Sequence, residues 1–120
     1  IEHLMAALAA LDVDNALVEL DGPEVPIMDG SALPFVKLVD RAGRRPQSAL
    51  RRYIEVREPV VVEEGGKRAA LLPDDGFAVD FEIAFPSAAI GRQRVVVDVT
   101  ATTFRTELAD CRTFGFVQEV

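Results

Sequence analysis

The chain contains a single histidine, His3, and a glutamate, Glu2, directly precedes it. A neutral imidazole is a common metal ligand, and the positive end of a helix disfavours its protonated form. A carboxylate beside a metal-bound histidine can act as general base for the water that the metal activates. For an isolated pair, however, the favoured interpretation is a surface helix start, in which Glu2 interacts with the helix dipole and His3 has no chemical role.

Two other segments combine residue types that occur at binding sites. Residues 22–31 are dense in glycine and proline, which predicts a specific backbone path. In residues 112–116 the hydroxyl of Thr113 stands next to a glycine and two phenylalanines. That hydroxyl could hold an oxyanion while a ring binds a sugar, or the segment could simply cap and pack. Spacing alone favours a structural role for both segments.

The metal-ligand content of the chain is low. A catalytic zinc normally has three protein ligands and one open position. The chain offers one histidine, one cysteine (Cys111) and scattered carboxylates, so we expect that it does not build such a site alone. Cys111 cannot form an internal disulfide, and we expect it to be a small buried residue.

Helical and alternating periodicity predict the elements that position these residues. An apolar stripe predicts a helix over residues 2–11, and alternation predicts a strand over residues 16–20. After the loop, a second helix begins near Pro34 and ends at Gly43. Residues 44–50 are polar and basic and predict a domain boundary, since Pro46, Gln47 and Ser48 interrupt the local arginines.

Beyond that boundary the period becomes alternating. We predict strands over residues 53–56 and 60–62, a tight turn at Gly65 and Gly66, and strands over 68–72, 77–83 and 95–99, the last of them central. Thr100 or Thr102 then caps a short helix in which Phe104, Leu108 and Cys111 share one face. These elements predict an α+β layer architecture with parts of two domains, residues 1–46 and 47–120.

The composition and net charge of the chain argue against several classes of function. With 49% hydrophobic and 28% charged residues, the 120-residue chain is typical of a globular protein. Its net charge of −7 argues against nucleic-acid binding. The apolar runs are too short to span a bilayer and no signal peptide is evident, so we expect a cytoplasmic location. Because the sequence opens at Ile1, inside a helical pattern, we expect it to be an internal fragment.

Several motifs resemble the zinc-dependent UDP-3-O-acyl-N-acetylglucosamine deacetylase family, which catalyses the committing step of lipid A synthesis in Gram-negative bacteria. Residues 1–9 are similar to the family's E-H-L-M-x-A-L-A helix start, and residues 112–116 to its R-T-F-G-F motif. Between them, residues 14–16, 19–20, 22–32 and 34–36 continue the match in order, including a specific Pro-Ile-Met-Asp-Gly-Ser run. The resemblance implies two similar α+β domains, each a two-layer sandwich of helices on an antiparallel sheet. Residues 1–46 would be the C-terminal part of the first, and residues 47–120 the N-terminal part of the second.

The resemblance also implies roles for individual residues. His3 would be one of three zinc ligands, and Glu2 the general base. Thr113 would help to hold the oxyanion, Phe114 would lie against the sugar, and Asp29 would support the site rather than react. The reaction would convert the N-acetyl sugar into a free amine and acetate.

The same resemblance implies that the chain is incomplete as an enzyme. The family's second zinc histidine, zinc aspartate and general-acid histidine would lie beyond this sequence, so the fragment alone should be inactive. The complete enzyme would be a monomer with a small-molecule substrate. Without the resemblance, the preferred alternative is a non-catalytic α+β binding or structural module in which Glu2 and His3 cap a helix.

Overall fold

The computed structural model describes residues 1–117. Two compact units can be distinguished. One contains Ile1–Ser48 together with the described residues that follow Asp98, and the other contains Ala49–Asp98. Each unit is defined by the contacts that its residues make with one another. The assignment of residues 1–46 and 47–120 to two domains stays a prediction, and its last three residues lie outside the described part.

The first unit is helical. Helix α1 spans Glu2–Ala10 and α2 spans Leu33–Ala42, as the periodicity predicted. A proline in the first turn of α2 costs no hydrogen bond, because the amides there have no partner within the helix. Gly43 ends α2 with a φ of 76°, and its N–H donates to the carbonyl of Val39.

The buried side chains of this unit form one cluster contributed by α1, α2 and the last helical segment. Each helix directs one apolar face into it, so that the start of α1 and the loop before α2 are held by a common core. Ser31, at the end of that loop, is fully buried as well. The apolar members of the cluster are Ala7, Leu11, Ala32, Phe35, Val36, Phe104 and Ala109.

The last helical segment is shorter and wider than predicted. Thr100 caps it as expected, with its hydroxyl accepting from the N–H of Thr103 at 3.1 Å. One turn of α-helix, α3 (Ala101–Thr103), then widens into a π-helix over Phe104–Leu108. Because the helix ends there, Cys111 lies beyond it and is exposed, so the prediction of a buried cysteine on the same face as Phe104 was wrong.

An ion pair joins α2 to the π-helix. The guanidinium of Arg105 donates two hydrogen bonds to the carboxylate of Asp40, at 2.6 and 2.7 Å. This parallel pairing is the strong geometry for an arginine and a carboxylate. The hydrogen bonds from Arg105 hold the pKa of Asp40 below its ordinary value of 3.8.

This lowered pKa predicts a pH-dependent contribution to stability. The folded state binds the Asp40 proton more weakly than the unfolded state does, so the contribution is fully present above the ordinary pKa and is lost as pH falls through the lowered one. In the complete protein, Asp40→Asn should therefore lower the free energy of unfolding at about pH 7 and have a smaller effect at about pH 2. Urea unfolding at both pH values measures this, with the exposed Asp75→Asn as control. An equal loss at both pH values would contradict it.

The second unit contains two antiparallel hairpins. Strand β1 (Val60–Glu64) pairs with β2 (Lys67–Leu71), and β3 (Ala78–Ala84) pairs with β4 (Arg92–Asp98). Gly65 and Gly66, at φ values of 55° and 77°, form the predicted two-residue turn, since this turn needs positive φ at both positions. The helices and the antiparallel sheets together confirm the α+β class.

Three strand predictions were wrong for a shared physical reason. Residues 16–20 and 53–56 form no strand in the described structure, and Leu17 and Ile54 are 88% and 97% exposed. Strand β4 pairs only with β3 among the described residues and is not central. A strand needs a neighbouring strand for its backbone hydrogen bonds, and neither apolar alternation nor a continuous apolar run shows whether such a neighbour is present.

The apolar face of β3 is also less covered than its alternation predicted. Val79 and Ile83 are half-buried, whereas Phe77 and Phe81 are 67% and 60% exposed. Among residues 1–117, no helix is long and apolar enough to cross a membrane.

Candidate active site

A cleft in the helical unit brings together three of the four predicted site residues. It has a volume of about 250 Å³ and is lined by the start of α1, by the loop before α2 and by Thr113. Phe35, from α2, also lines it. The lining residues are Ile1, Glu2, His3, Leu4, Glu24, Val25, Pro26, Ile27, Phe35 and Thr113.

Glu2 is the first residue of α1 and its side chain is 87% exposed. Its own backbone N–H lowers the pKa of the carboxyl from the ordinary 4.5, and a hydrogen bond from the amino group of Ile1 at 3.1 Å lowers it further. In a longer chain Ile1 would present a peptide N–H instead of an ammonium, and that ion pair would not exist. With either group Glu2 is a carboxylate at neutral pH, which is the form that can accept a proton.

His3 is half-buried and lines the same cleft as Glu2. Its imidazole is of the type that zinc prefers, so it fits one position of a metal site. Among residues 1–117, however, no group of three His, Cys, Asp or Glu side chains could hold a metal ion. Cys111 is absent from the cleft lining, and its Sγ donates to the carbonyl of Glu107 at 3.5 Å. The described residues therefore supply one candidate ligand.

Thr113 reaches the cleft from the opposite end of the sequence. Its backbone N–H donates to the carbonyl of Gly30 at 2.9 Å, and the residue is exposed and lines the cleft. The hydrogen bond joins the segment after the π-helix to the loop before α2. Thr113 lines the same cleft as Glu2 and His3, and a threonine hydroxyl is a suitable donor for an oxyanion.

The loop before α2 takes the fixed path that its composition predicted. Met28 and Gly30 both have positive φ, 58° and 83°, and a left-handed conformation costs a non-glycine residue roughly 1–2 kcal/mol. The carboxylate of Asp29 accepts from the backbone N–H and the hydroxyl of Ser31, at 3.0 and 2.7 Å. These bonds, led by the Ser31 hydroxyl, lower the pKa of Asp29 from its ordinary 3.8. Asp29 does not line the cleft.

Phe114 is the predicted site residue that the structure does not bring to the cleft. Its ring packs edge-on against Phe116, with centroids 6.2 Å apart and planes at 88°, a favourable aromatic geometry. The ring is 54% exposed. Its predicted role against a sugar stays a prediction.

Glu24 is a cleft residue that the sequence reasoning did not single out. It lies between Pro23 and Val25, within the segment whose restricted backbone predicted a specific path. The position of this carboxylate in a segment with a restricted backbone was the sequence feature that could have indicated a site residue. The cleft thus contains two carboxylates, Glu2 and Glu24, and only Glu2 is adjacent in sequence to the imidazole.

Comparison with known proteins gives a match over the whole chain. The family model described as LpxC, UDP-3-O-acyl N-acetylglycosamine deacetylase, matches residues 1–120. A relative from Phenylobacterium zucineum is 65% identical over 120 residues, which are 100% of this chain and 41% of the relative. It is named UDP-3-O-acyl-N-acetylglucosamine deacetylase.

Two further relatives carry the same name. One, from Pseudoalteromonas translucida, is 52% identical over 121 residues, covering 99% of this chain and 40% of the relative. The other, from Syntrophotalea carbinolica, is 48% identical over 120 residues, covering 100% of this chain and 39% of the relative. The chain thus spans about 40% of the length of the curated relatives it matches.

Proposed function

Since the chain belongs to the UDP-3-O-acyl-N-acetylglucosamine deacetylase family, we propose that the complete protein carrying it hydrolyses the N-acetyl group of UDP-3-O-acyl-N-acetylglucosamine with the help of zinc. Acetate and a free 2-amino sugar are the products. The chain contributes one zinc ligand, the general base and an oxyanion donor. The other ligands and the general acid come from outside these 120 residues.

One observation carries the proposal: Glu2, His3 and Thr113 line a single cleft although the last is far from the first two in sequence. A general base, a metal ligand and an oxyanion donor are groups that metal-assisted amide hydrolysis uses around one carbonyl. A helix start with a purely structural role does not require a hydroxyl from a distant segment beside it.

Glu2 is proposed to take a proton from the water that attacks the acetamide carbonyl. Its side chain is ionised at neutral pH and exposed to the cleft, so it can reach a small molecule bound there. His3 is proposed to hold zinc through an imidazole nitrogen. Bound zinc supplies Lewis-acid activation of water and of the carbonyl group at neutral pH.

Thr113 is proposed to donate a hydrogen bond from its hydroxyl to the oxygen that becomes negative during attack. Such a donor contributes most when it is already in position, because no reorganisation is then needed as charge develops. The hydrogen bond between the Thr113 N–H and the Gly30 carbonyl supports this, since it fixes the backbone from which the side chain extends.

The volume of the cleft supports the proposal that this chain forms only part of the substrate-binding site. Pockets that enclose drug-sized ligands usually measure roughly 300–1,000 Å³, and the described cleft measures about 250 Å³. It suits the acetamido end of the substrate. We propose that the nucleotide and the acyl chain contact residues outside this chain, as well as Phe114.

A product assay tests the proposed function. The complete protein, incubated with UDP-3-O-acyl-N-acetylglucosamine, should release acetate and a primary amine in equal amounts, while the 120-residue chain should release neither. Mass spectrometry and an amine-reactive probe measure the two products. Absence of both from the complete, folded protein would favour the alternative of a non-catalytic module.

Thr113→Val removes the hydroxyl while keeping the branched shape. We expect kcat of the complete protein to fall by ~10²–10³, the usual loss for one oxyanion donor, with KM changing much less. Thr106→Val, which removes a hydroxyl from the π-helix outside the cleft lining, is the control and should keep kcat. A Thr113→Val variant with unchanged kcat would exclude the oxyanion role.

Three further predictions remain part of this proposal. The complete protein acts in the cytoplasm, is a monomer and serves lipid A synthesis. Size-exclusion chromatography with light scattering measures the oligomeric state directly.

A further inference from the structure

The carbonyl of Gly30 is the acceptor for the backbone N–H of Thr113, at 2.9 Å. This contact links the loop before α2 to the segment after the π-helix. The position of Thr113 in the cleft therefore depends on the direction in which the Gly30 carbonyl points.

The conformation of Gly30 sets that direction. Its φ of 83° is one that side-chain-bearing residues rarely adopt. Space is not the restriction, because an added Cβ would lie 3.7 Å from Thr113 Cγ2 and 4.0 Å from Arg112 Cβ, which are ordinary contacts. A side chain at position 30 would therefore act by driving the backbone away from positive φ and turning the carbonyl away from Thr113.

Neighbouring contacts hold the turn in place. Gly30 is buried, and its N–H donates to the carbonyl of Ile27 at 3.0 Å. Asp29 accepts two hydrogen bonds from the fully buried Ser31, whose hydroxyl also accepts from the N–H of Leu33 at the start of α2. The second carboxylate oxygen of Asp29 lies 3.7 Å from the guanidinium of Arg112, next to Thr113. The turn is thus anchored to α2 and contacts the Thr113 segment at two points.

We propose that Gly30 is a positioning residue for the deacetylation reaction: its left-handed conformation directs its carbonyl to the Thr113 N–H and so holds the Thr113 hydroxyl at the reacting carbonyl. This inference rests on the proposed function. The proposed role requires no contact between Gly30 and the substrate, because Gly30 acts through Thr113 alone.

Gly30→Ala in the complete protein tests the proposal. A displacement of about 1 Å in a catalytic group can cost ~10²-fold, so we expect kcat to fall by ~10-fold or more. We expect KM and zinc content to change little, since the variant leaves His3 and Glu2 in place. Steady-state kinetics and metal analysis measure these quantities, and unchanged kcat would overturn the proposal.

Gly43→Ala is the matched control. Gly43 has a similar φ of 76°, has nothing within 4 Å of an added Cβ and lies at the end of α2, outside the cleft lining. Both substitutions place a side chain on a residue with positive φ, and of the two glycines only Gly30 contacts Thr113. We expect kcat of Gly43→Ala to stay within about twofold of the unmodified protein. An equal fall in kcat for both variants would overturn the proposal, because the effect would then be general destabilisation.

Combining Gly30→Ala with Thr113→Val shows whether Gly30 acts through Thr113. If it does, kcat of the double variant equals that of Thr113→Val within about twofold. If the two losses multiply, Gly30 acts independently and the proposal fails. If Thr113→Val loses activity and the losses of the two single variants multiply, the proposed function still holds and only the positioning role of Gly30 fails. Full activity of Thr113→Val would contradict the proposed function itself.

If Gly30→Ala does not fold, amide hydrogen exchange in the unmodified protein tests the proposal instead. In the unmodified complete protein, the Thr113 amide should exchange markedly more slowly than an unstructured peptide amide, because Gly30 accepts its hydrogen bond. Exchange at the unprotected rate would overturn the proposal.

Discussion

Replacing His3 with alanine in the complete protein is expected to remove most of its zinc and nearly all of its deacetylase activity. Loss of a residue that merely orients a metal ligand costs ~10–100-fold in affinity or activity, so loss of the ligand itself should cost more than ~10²-fold. His3 is the only histidine in these 120 residues, so no neighbouring imidazole in this chain can replace it. Zinc per protein molecule after dialysis and the rate of acetate release measure the two effects.

Cys111→Ser is the control for this experiment. Catalytic zinc binds histidine and cysteine side chains, and Cys111 is the only cysteine in this chain. It is exposed and lies outside the cleft lining. We expect Cys111→Ser to keep both zinc and activity. A His3→Ala protein that retained a full complement of zinc would contradict the assignment of His3 as a ligand.

Glu2→Gln should separate catalysis from metal binding. The amide has the size of the carboxylate but cannot accept the proton, so kcat should fall by ~10²–10⁴. Zinc content should stay unchanged, because the proposal gives Glu2 no bond to the metal. Stopped-time acetate assays and metal analysis on the same protein sample measure both.

Two other carboxylates test the specificity of this assignment. Glu107→Gln, in the π-helix, should leave kcat unchanged, since Glu107 lies outside the cleft lining. Glu24→Gln addresses the second carboxylate of the cleft. If Glu24→Gln lost activity while Glu2→Gln retained it, the general base would be Glu24 and the present assignment would be wrong.

Local sequence patterns were sufficient for α1, α2 and the β1–β2 hairpin. The apolar stripe of α1, the proline and glycine that bound α2, and the paired glycines between β1 and β2 each determine a hydrogen-bonding pattern within a short segment. Such elements need few partners from distant parts of the chain, and the structure confirms them.

Elements that depend on distant partners were not predictable. The alternation at residues 16–20 has no neighbouring strand among residues 1–117. The widening of the last helix at Phe104 is not visible in apolar spacing either, because a π-turn changes which residues share a face. Nor does apolar spacing show that the helix ends at Leu108, which leaves Cys111 beyond it and exposed.

The site shows the same limit. Sequence chemistry gave Glu2 and His3 as a possible base and ligand and the Thr113 hydroxyl as a possible oxyanion donor. Only the family resemblance favoured these roles over structural ones. The sequence did not show that Thr113 meets the loop before α2 through the Gly30 carbonyl, because this contact depends on two backbone groups and one positive φ. Contacts between backbone groups are difficult to predict from the sequence, because they depend little on which side chains are present.

A crystal structure of the complete protein, with diffraction recorded at the zinc absorption edge, shows whether His3 binds zinc in the cleft that Glu2 and Thr113 also line. We expect an anomalous peak about 2.0–2.1 Å from an imidazole nitrogen of His3, with the carboxylate of Glu2 and the hydroxyl of Thr113 facing the same cleft. A zinc-loaded protein in which the His3 ring bonds no metal, or in which the zinc lies at a site remote from Thr113, would contradict it.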